Sequence, residues 1–231
     1  MRVLAVVPAY FAERSVGALA RELRALWPDT GEAPPVIVVD DGSADDTSGA
    51  ARAAGAYVVR HPHNRGKGAA LLTGFERARA FEADAVVSVD ADGQHPAEEA
   101  VRLALHPAPR ESLILGVRDL VGAGAPRANQ RSNAISNFFL SRFTGRELRD
   151  TQCGLRRYPL EKTLALAPRS EGYAFEAEVL LRAARANWDI VQIPVRVLYP
   201  PDRRTHFHVV RDPARIVFRV VSTLLSERGG A

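Results

Sequence analysis

Hydrophobic residues along this chain gather in short, dense runs separated by longer mixed segments. Val3 to Val7, Val36 to Val39, Tyr57 to Val59, Val86 to Val89 and Leu113 to Val117 are largely β-branched or aliphatic on successive positions, with little polar alternation. That pattern predicts buried strands, as in a parallel sheet. Between most of them, Ala- and Leu-rich stretches have helical spacing. They predict helices at about Ser15 to Trp27, Lys67 to Ala80, Pro96 to Leu105, Asn129 to Thr144 and Phe175 to Ala186. Strand alternating with helix predicts the α/β class: a mostly parallel, doubly wound sheet flanked by helices, in a single domain. The stretch "RDLVGAGAPRANQR", from Arg118 to Arg131, is rich in glycine and arginine and predicts a long mobile loop.

The last residues have a pattern of their own. Asp212 and Pro213 read as an N-cap and first helical residue. Ile216, Val217, Val220, Val221, Leu224 and Leu225 then fall on one helical stripe, with Arg215 and Arg219 off it. A helix from Pro213 to about Glu227 would be roughly 22 Å long, too short to cross a hydrocarbon core of about 30 Å. Its stripe suits either a membrane surface or packing on the sheet or a second subunit. The expected organisation is a sheet domain over 1–205 and an amphipathic helical extension over 206–231.

Composition adds bounds. With 46% hydrophobic and 25% charged residues, 231 residues can bury a substantial core. No run approaches the roughly 18 uncharged apolar residues of a spanning helix, and "MRVLAVVPAY" enters a strand-like run instead of a signal-peptide pattern. The expected location is the cytoplasm, with room for peripheral contact at the cytoplasmic face of a membrane. Cys153 is the one cysteine, which excludes an intramolecular disulfide and predicts a packing role. A formal charge of +4 favours anionic partners, and charge alone admits nucleic acid, anionic lipid and nucleotide phosphate alike.

Candidate chemistry sits where strands end, because ligands of an open parallel sheet bind beyond the carboxyl ends of its strands. Those positions hold Pro8-Ala9-Tyr10, Asp40-Asp41-Gly42-Ser43, Asp90-Ala91-Asp92 and Gly116-Val117-Arg118. A dinucleotide fingerprint is missing from "VVPAYFAERSVG" after the first strand, and "NRGKGAA" lacks the Ser or Thr that a phosphate loop places after its lysine. More telling is "VVSVDADGQHP". Residues two apart in extended chain point the same way, so Asp90 and Asp92 can face one ligand while Ala91 turns away. Two carboxylates suit Mg2+ or Mn2+, with substrate phosphates and water completing the shell. Gly93 lets the chain turn, and Gln94 offers an amide oxygen.

Taken in order, "VVPAY", "VIVVDDGSADDT", "NRGKGAALLTGF", "VSVDADGQHP", "DTQCGLRRY" and "FEAEVLLRAARANWDIVQIPVRV" resemble the family 2 glycosyltransferases of GT-A fold, and most closely their dolichyl-phosphate mannose synthase-like branch. The resemblance covers nearly the whole chain. It implies a Rossmann-like sheet and a metal-dependent enzyme that moves a sugar from a GDP- or UDP-sugar to a polyprenyl phosphate, dolichyl or undecaprenyl, with inversion. By the same resemblance Pro8, Tyr10, Asp41 and Asp90 hold the nucleotide, and Asp90, Asp92 and Gln94 hold Mg2+ or Mn2+. Arg118 and Arg131 approach donor or acceptor phosphate and, with Asp92 and Asp150, make up the catalytic set. It gives no reason to expect nucleic acid.

The chain departs from the family after the tyrosine, where Phe11-Ala12-Glu13 stands in place of Asn-Glu-Glu. The first carboxylate expected at the base is therefore missing, and a role for Glu13 does not carry over. Arg203 and Arg204 are candidates for clamping an acceptor phosphate, and His206 and His208 suit either a metal or a packed surface. A hydroxyl acceptor on a lipid or glycan would need a general base, for which Asp150 is the candidate; otherwise Asp150 stabilises its loop. A phosphate acceptor is already ionised and needs none. A non-catalytic sugar-nucleotide-binding regulator is the alternative outside enzymes.

Overall fold

Each apolar run becomes a strand of one seven-stranded sheet in a computed structural model that describes residues 1–170, 172 and 174–199. Arg203, Arg204, His206, His208, the Pro213–Glu227 helix and the boundary at 206 lie outside the described residues. In chain order the first elements are β1 (Val3–Ala9), α1 (Glu13–Leu26), β2 (Val36–Asp40), α2 (Thr47–Ala53), β3 (Tyr57–Arg60) and α3 (Lys67–Ala80). Next come β4 (Ala85–Ser88), α4 (Ala97–Ala104), β5 (Leu113–Arg118) and α5 (Arg127–Thr144). The described chain continues through β6 (Arg156–Pro159), α6 (Leu160–Ala165), α7 (Ala174–Arg185) and β7 (Ile190–Val195).

The strand order is β3-β2-β1-β4-β6-β5-β7, parallel throughout except that β6 runs antiparallel between β4 and β5. Side chains of β1 alternate between two apolar layers. Val3, Ala5 and Val7 pack with α1, α2 and α4, while Leu4 and Val6 pack with α3, α6, α7 and the inner side of α5. Because both faces are covered, the inner parallel strands β1, β2 and β4 read as unbroken apolar runs.

Two consequences position the site. Parallel strands bring the carboxyl ends of β1, β2, β4 and β5 to one edge. The reversed β6 instead presents its amino end there, so the loop that precedes it, residues 150–155, enters the same edge.

The sequence left α2, β6, α6 and β7 uncalled. β6 was hidden because it reads Arg-Arg-Tyr-Pro, yet Arg156 and Arg157 are both fully buried. Their guanidiniums cap loop carbonyls. Arg156 donates to the oxygens of Thr151 (2.6 Å), Cys153 (2.8 Å) and Glu176 (2.9 Å), and Arg157 to those of His106 (2.8 Å), Ala108 (3.0 Å) and Pro109 (3.1 Å). Five donors in a planar fork make arginine suited to such clustered acceptors.

The long loop expected over Arg118 to Arg131 is corrected. Arg118 ends β5, residues 119–125 form a turn, and α5 begins at Arg127. Asp119 organises that turn by accepting from Gly122 N–H at 2.8 Å, and Ala125 N–H closes on the Leu120 carbonyl at 2.9 Å.

Candidate active site

A cleft of about 770 Å³ lies at the carboxyl edge, a size that suits a small-molecule ligand. Its wall includes Pro8 and Tyr10 after β1, Asp41 after β2, Asp90, Asp92 and Gln94 after β4, and Arg118 at the end of β5. The structure thus gathers seven of the sequence candidates around one space. Arg131 and Asp150 do not line it: Arg131 is exposed on α5, and Asp150 is buried behind Arg118.

The end of β2 is held from within. Asp41 accepts from the backbone N–H of Arg65 (2.9 Å) and Gly66 (2.7 Å) and pairs with His61 Nδ1 (2.7 Å). Asp40, fully buried, accepts from Ser43 N–H (2.9 Å) and from the Ser48 hydroxyl. Gly42 between the acid pair and Ser43 has φ +76, and a Cβ there would stand 2.5 Å from the His63 carbonyl carbon, so the turn requires glycine. These contacts join the β2 turn to residues 61–66, which lead into Lys67 at the start of α3.

The acids after β4 are less complete. Lys67 Nζ lies 2.6 Å from Asp90 Oδ1 and 3.1 Å from Glu176 Oε1, so one cation bridges two carboxylates in the cleft wall. Burial works to raise the Asp90 pKa, but the charge and hydrogen bond of Lys67 outweigh it and hold the carboxyl below its usual 3.8. Among the described residues, Asp92 has only the Gln94 N–H on Oδ1, at 3.0 Å. Desolvation, and then the charge on Asp90, push Asp92 up to about 6. Its outer side stays exposed, which softens this shift without changing its direction.

Gly154 passes so close that any Cβ would collide with the Asp90 carboxylate, which explains the glycine in "DTQCG". His95 of the same motif is buried and faces away from this chemistry. Its Nδ1–H donates to the Arg196 carbonyl at 3.1 Å, and burial first, then Arg118, lowers its pKa below 6.5.

At the β5 side, Arg118 and Asp150 form a fork: Nε to Oδ2 at 2.7 Å, Nη2 to Oδ1 at 2.9 Å, and the Arg118 backbone N–H to Oδ2 at 3.1 Å. Burial disfavours the Arg118 charge, but this pairing outweighs it and keeps the guanidinium protonated. Both oxygens of Asp150 are therefore engaged, and the side chain is 1% exposed. The adjoining loop is stitched to α5, with Thr151 N–H donating to Asn137 Oδ1 at 2.8 Å and Gln152 Nε2 to Ser132 Oγ at 2.9 Å. Cys153 is fully buried, and desolvation pushes its thiol up to about 12, so it packs and does not react.

Lys67 and Glu176 were not among the sequence candidates. Lys67 was set aside with the phosphate-loop reading, and Glu176 lies within a helical apolar pattern that gives no sign of a polar role. Glu13 lines the cleft, with Oε2 at 3.4 Å from Asp46 N–H, at the position where the chain departs from the pattern it otherwise resembles.

Comparison with known proteins identifies the lineage. The glycosyl transferase family 2 profile matches residues 4–162. The chain belongs to glycosyl transferase family 2. It is 29% identical over 206 residues to an undecaprenyl-phosphate mannosyltransferase of Micrococcus luteus, covering 84% of this chain and 83% of that protein. It is 34% identical over 184 residues to an undecaprenyl-phosphate 4-deoxy-4-formamido-L-arabinose transferase of Pseudomonas paraeruginosa, covering 73% of this chain but 51% of that longer protein. Among solved structures, glucosyl-3-phosphoglycerate synthase of Mycobacterium tuberculosis, in complex with Mn2+, UDP and phosphoglyceric acid, superposes with a TM-score of 0.72 at 23% identity. That match covers 97% of this chain and 77% of the other, and it establishes the shared GT-A fold. The glycosyltransferase family and α/β sheet expected from the motifs are borne out. Among the described residues no helix is long and apolar enough to cross a membrane.

Proposed function

We propose that this family 2 glycosyltransferase takes its sugar from a nucleotide-sugar donor and transfers it to a polyprenyl phosphate. The observation that carries the acceptor is the Arg118–Asp150 fork. A hydroxyl acceptor needs a carboxylate free to remove its proton, and Asp150, the candidate base, is buried with both oxygens bound. What this pair presents to the cleft is a permanently charged guanidinium, which is what an ionised phosphate requires. The names of the relatives from Micrococcus and Pseudomonas point to the same acceptor class.

The donor set at Asp90 and Asp92 fits a divalent cation. Among the described residues no third His, Cys, Asp or Glu joins them in a metal cluster, as suits an ion that draws its other oxygen ligands from substrate phosphates and water. Desolvation, and then the charge on Asp90, raise the Asp92 pKa, and a bound cation would offset both. Asp90, Asp92 and the Gln94 amide would hold the ion, Mg2+ or Mn2+. When bound, it supplies charge neutralisation for the departing diphosphate.

This chain's own residues do the rest. Pro8, Tyr10 and Asp41 border the space for base and ribose, and Lys67 adds a cation beside Asp90. Arg118, fixed by Asp150, orients the acceptor phosphate. An acceptor oxygen bonds to the anomeric carbon as the bond from that carbon to the diphosphate breaks, with inversion and no proton to remove. Arg131, exposed on α5, is a further proposed phosphate contact, and so are Arg203 and Arg204 on their sequence alone.

Incubation with a panel of GDP- and UDP-sugars, Mn2+ and either polyprenyl phosphate or the parent polyprenol tests this reading. Transfer to the phosphate alone is expected. Equal transfer to the alcohol would restore the hydroxyl acceptor, and nucleotide binding with no transfer to either would make the protein a sugar-nucleotide sensor.

A further inference from the structure

A second cavity, of about 460 Å³, shares a stretch of chain with the cleft but none of its chemistry. From the segment that leads into α3, Asn64, Gly66 and Lys67 line the cleft, whereas Arg65, Ala69 and Thr73 line the second space. One stripe of α3 forms its wall: Ala69, Leu72, Thr73, Glu76 and Arg77 recur at steps of three and four. Arg169 and Ser170, after α6, complete the lining. Asp90, Asp92 and Arg118 take no part in it, so this cavity is separate from the site of transfer.

Its charge is unbalanced. Three arginines line it with one carboxylate, Glu76, and that carboxylate pairs at 2.5 Å with Arg79, which is not part of the wall. Among the described residues Arg65 and Arg169 have no acidic partner, and Arg77 lies over the Tyr57 ring at 5.8 Å. The backbone that carries them is nonetheless fixed. Glu178 accepts from the N–H groups of Arg169 (3.1 Å) and Ser170 (2.7 Å), and Asp41 from that of Arg65 (2.9 Å). Gly68 seats α3 against the same turn so closely that a Cβ there would stand 2.6 Å from the Ser170 carbonyl oxygen. Like charges held together on a rigid frame repel one another, and an anion among them relieves that repulsion with little ordering left to do.

We propose that this cavity is a second anion site, which takes a small molecule bearing a diphosphate or more than one phosphate, held by Arg65, Arg77 and Arg169. Guanidiniums match phosphate oxygens through their planar fork of donors. The α3 stripe from Ala69 to Arg77 runs for about 12 Å, more than a single phosphate spans, and Ala69 and Leu72 give the body of the ligand an apolar surface. The inference is independent of the donor and acceptor reading, because binding is measured with neither sugar donor nor polyprenyl lipid present.

The test titrates the full chain with inorganic pyrophosphate by calorimetry, at low salt and in EDTA, where the acid-lined cleft has no cation to attract an anion. Wild type is expected to bind one pyrophosphate at least about tenfold more tightly than sulfate. Arg77→Gln with Arg169→Gln should weaken pyrophosphate at least about tenfold, while Arg118→Gln, in the cleft, should leave it within about twofold. Arg77 and Arg169 are exposed, so the double variant should melt as wild type does in the absence of ligand and lose the stabilisation that pyrophosphate confers. Competition by a sugar bisphosphate and by tripolyphosphate then separates an organic occupant from an inorganic one, whichever displaces pyrophosphate at the lower concentration. Wild type that binds pyrophosphate no better than sulfate, or a double variant that binds it as well as wild type, would overturn the proposal. So would loss of binding in Arg118→Gln alone, because the anion would then sit in the cleft.

Discussion

Asp40 and Asp41 at the end of β2, and Asp90 and Asp92 after β4, read alike in sequence as acids at the mouth of a parallel sheet, but the fold uses them differently. The β2 pair is filled from within the chain: two backbone N–H groups and a histidine on Asp41, a backbone N–H and a hydroxyl on Asp40. The β4 pair has Lys67 on Asp90 and one backbone N–H on Asp92, and desolvation, followed by the charge on Asp90, raises the Asp92 pKa. A carboxylate whose lone pairs are taken builds structure, and one left short of positive charge is available for a ligand. The same contrast separates Asp150, engaged on both oxygens, from Asp92, although both stood in one proposed catalytic set.

The largest effect is expected at Asp92. Asp92→Asn keeps the shape and removes the charge, and should lower transfer at least roughly a hundredfold, about 2.7 kcal/mol, with no fall in melting temperature. EDTA should act the same way on wild type. Retained activity in either case would erase the distinction between the acid pairs.

Asp41→Ala should show the opposite signature. It strands two N–H donors and His61 in a buried turn, at a cost of about 2 kcal/mol of stability. For a chain of this length that corresponds to a fall of roughly 4 to 8 °C in Tm. Melting curves with and without nucleotide would check it, and an unshifted Tm would mean that Asp41 is not the organiser of its turn.

Asp150→Asn sharpens the comparison further. The amide would turn a donor toward Arg118, loosening the guanidinium, so turnover with polyprenyl phosphate should fall by about tenfold and by the same factor at every pH. Loss of a general base would instead remove two or more decades and abolish the acid-side decline of the pH–rate profile.

The smallest effect concerns pH and the metal-free fold. Asp92 is raised above its unfolded value, so the stability linked to this group is present at low pH and lost as pH rises through about 6. Asp92→Asn should therefore raise Tm at pH 7.5 by about one or two degrees and leave it unchanged near pH 4. Metal affinity has the reverse slope, weakening below about pH 6 as Asp92 takes up a proton. Calorimetry at pH 5 and pH 7.5 would show a difference of several-fold, and equal affinities would place the ion elsewhere.

Much of this was legible in the chain itself. Strands β1, β2, β4 and β5 could be read because strands covered on both faces leave unbroken apolar runs, whereas the half-exposed edge strand β3 was readable only from its β-branched Val58 and Val59; the motif at Asp90 to Pro96 was readable because it follows such a run. Helix α3 could be read to its ends, Lys67 and Ala80, because Gly66 and "NRG" punctuate its start. The short α2 is made of small residues and lacks a stripe long enough to see.

What the sequence determined by itself is the alternation, the edge at which chemistry gathers and the family. The tertiary structure decided which charges are spent. Arg156 and Arg157 look like a surface pair, but β6 draws them inside because loop carbonyls converge there to satisfy them. Lys67 joins Asp90 across 23 residues and Glu176 across 109, and Asp150 reaches back 32 to Arg118. Local pattern reports hydrophobicity and backbone preference along the chain. The partner that fixes a buried charge comes from wherever the sheet order places the next loop, and that is settled only when β6 inserts between β4 and β5.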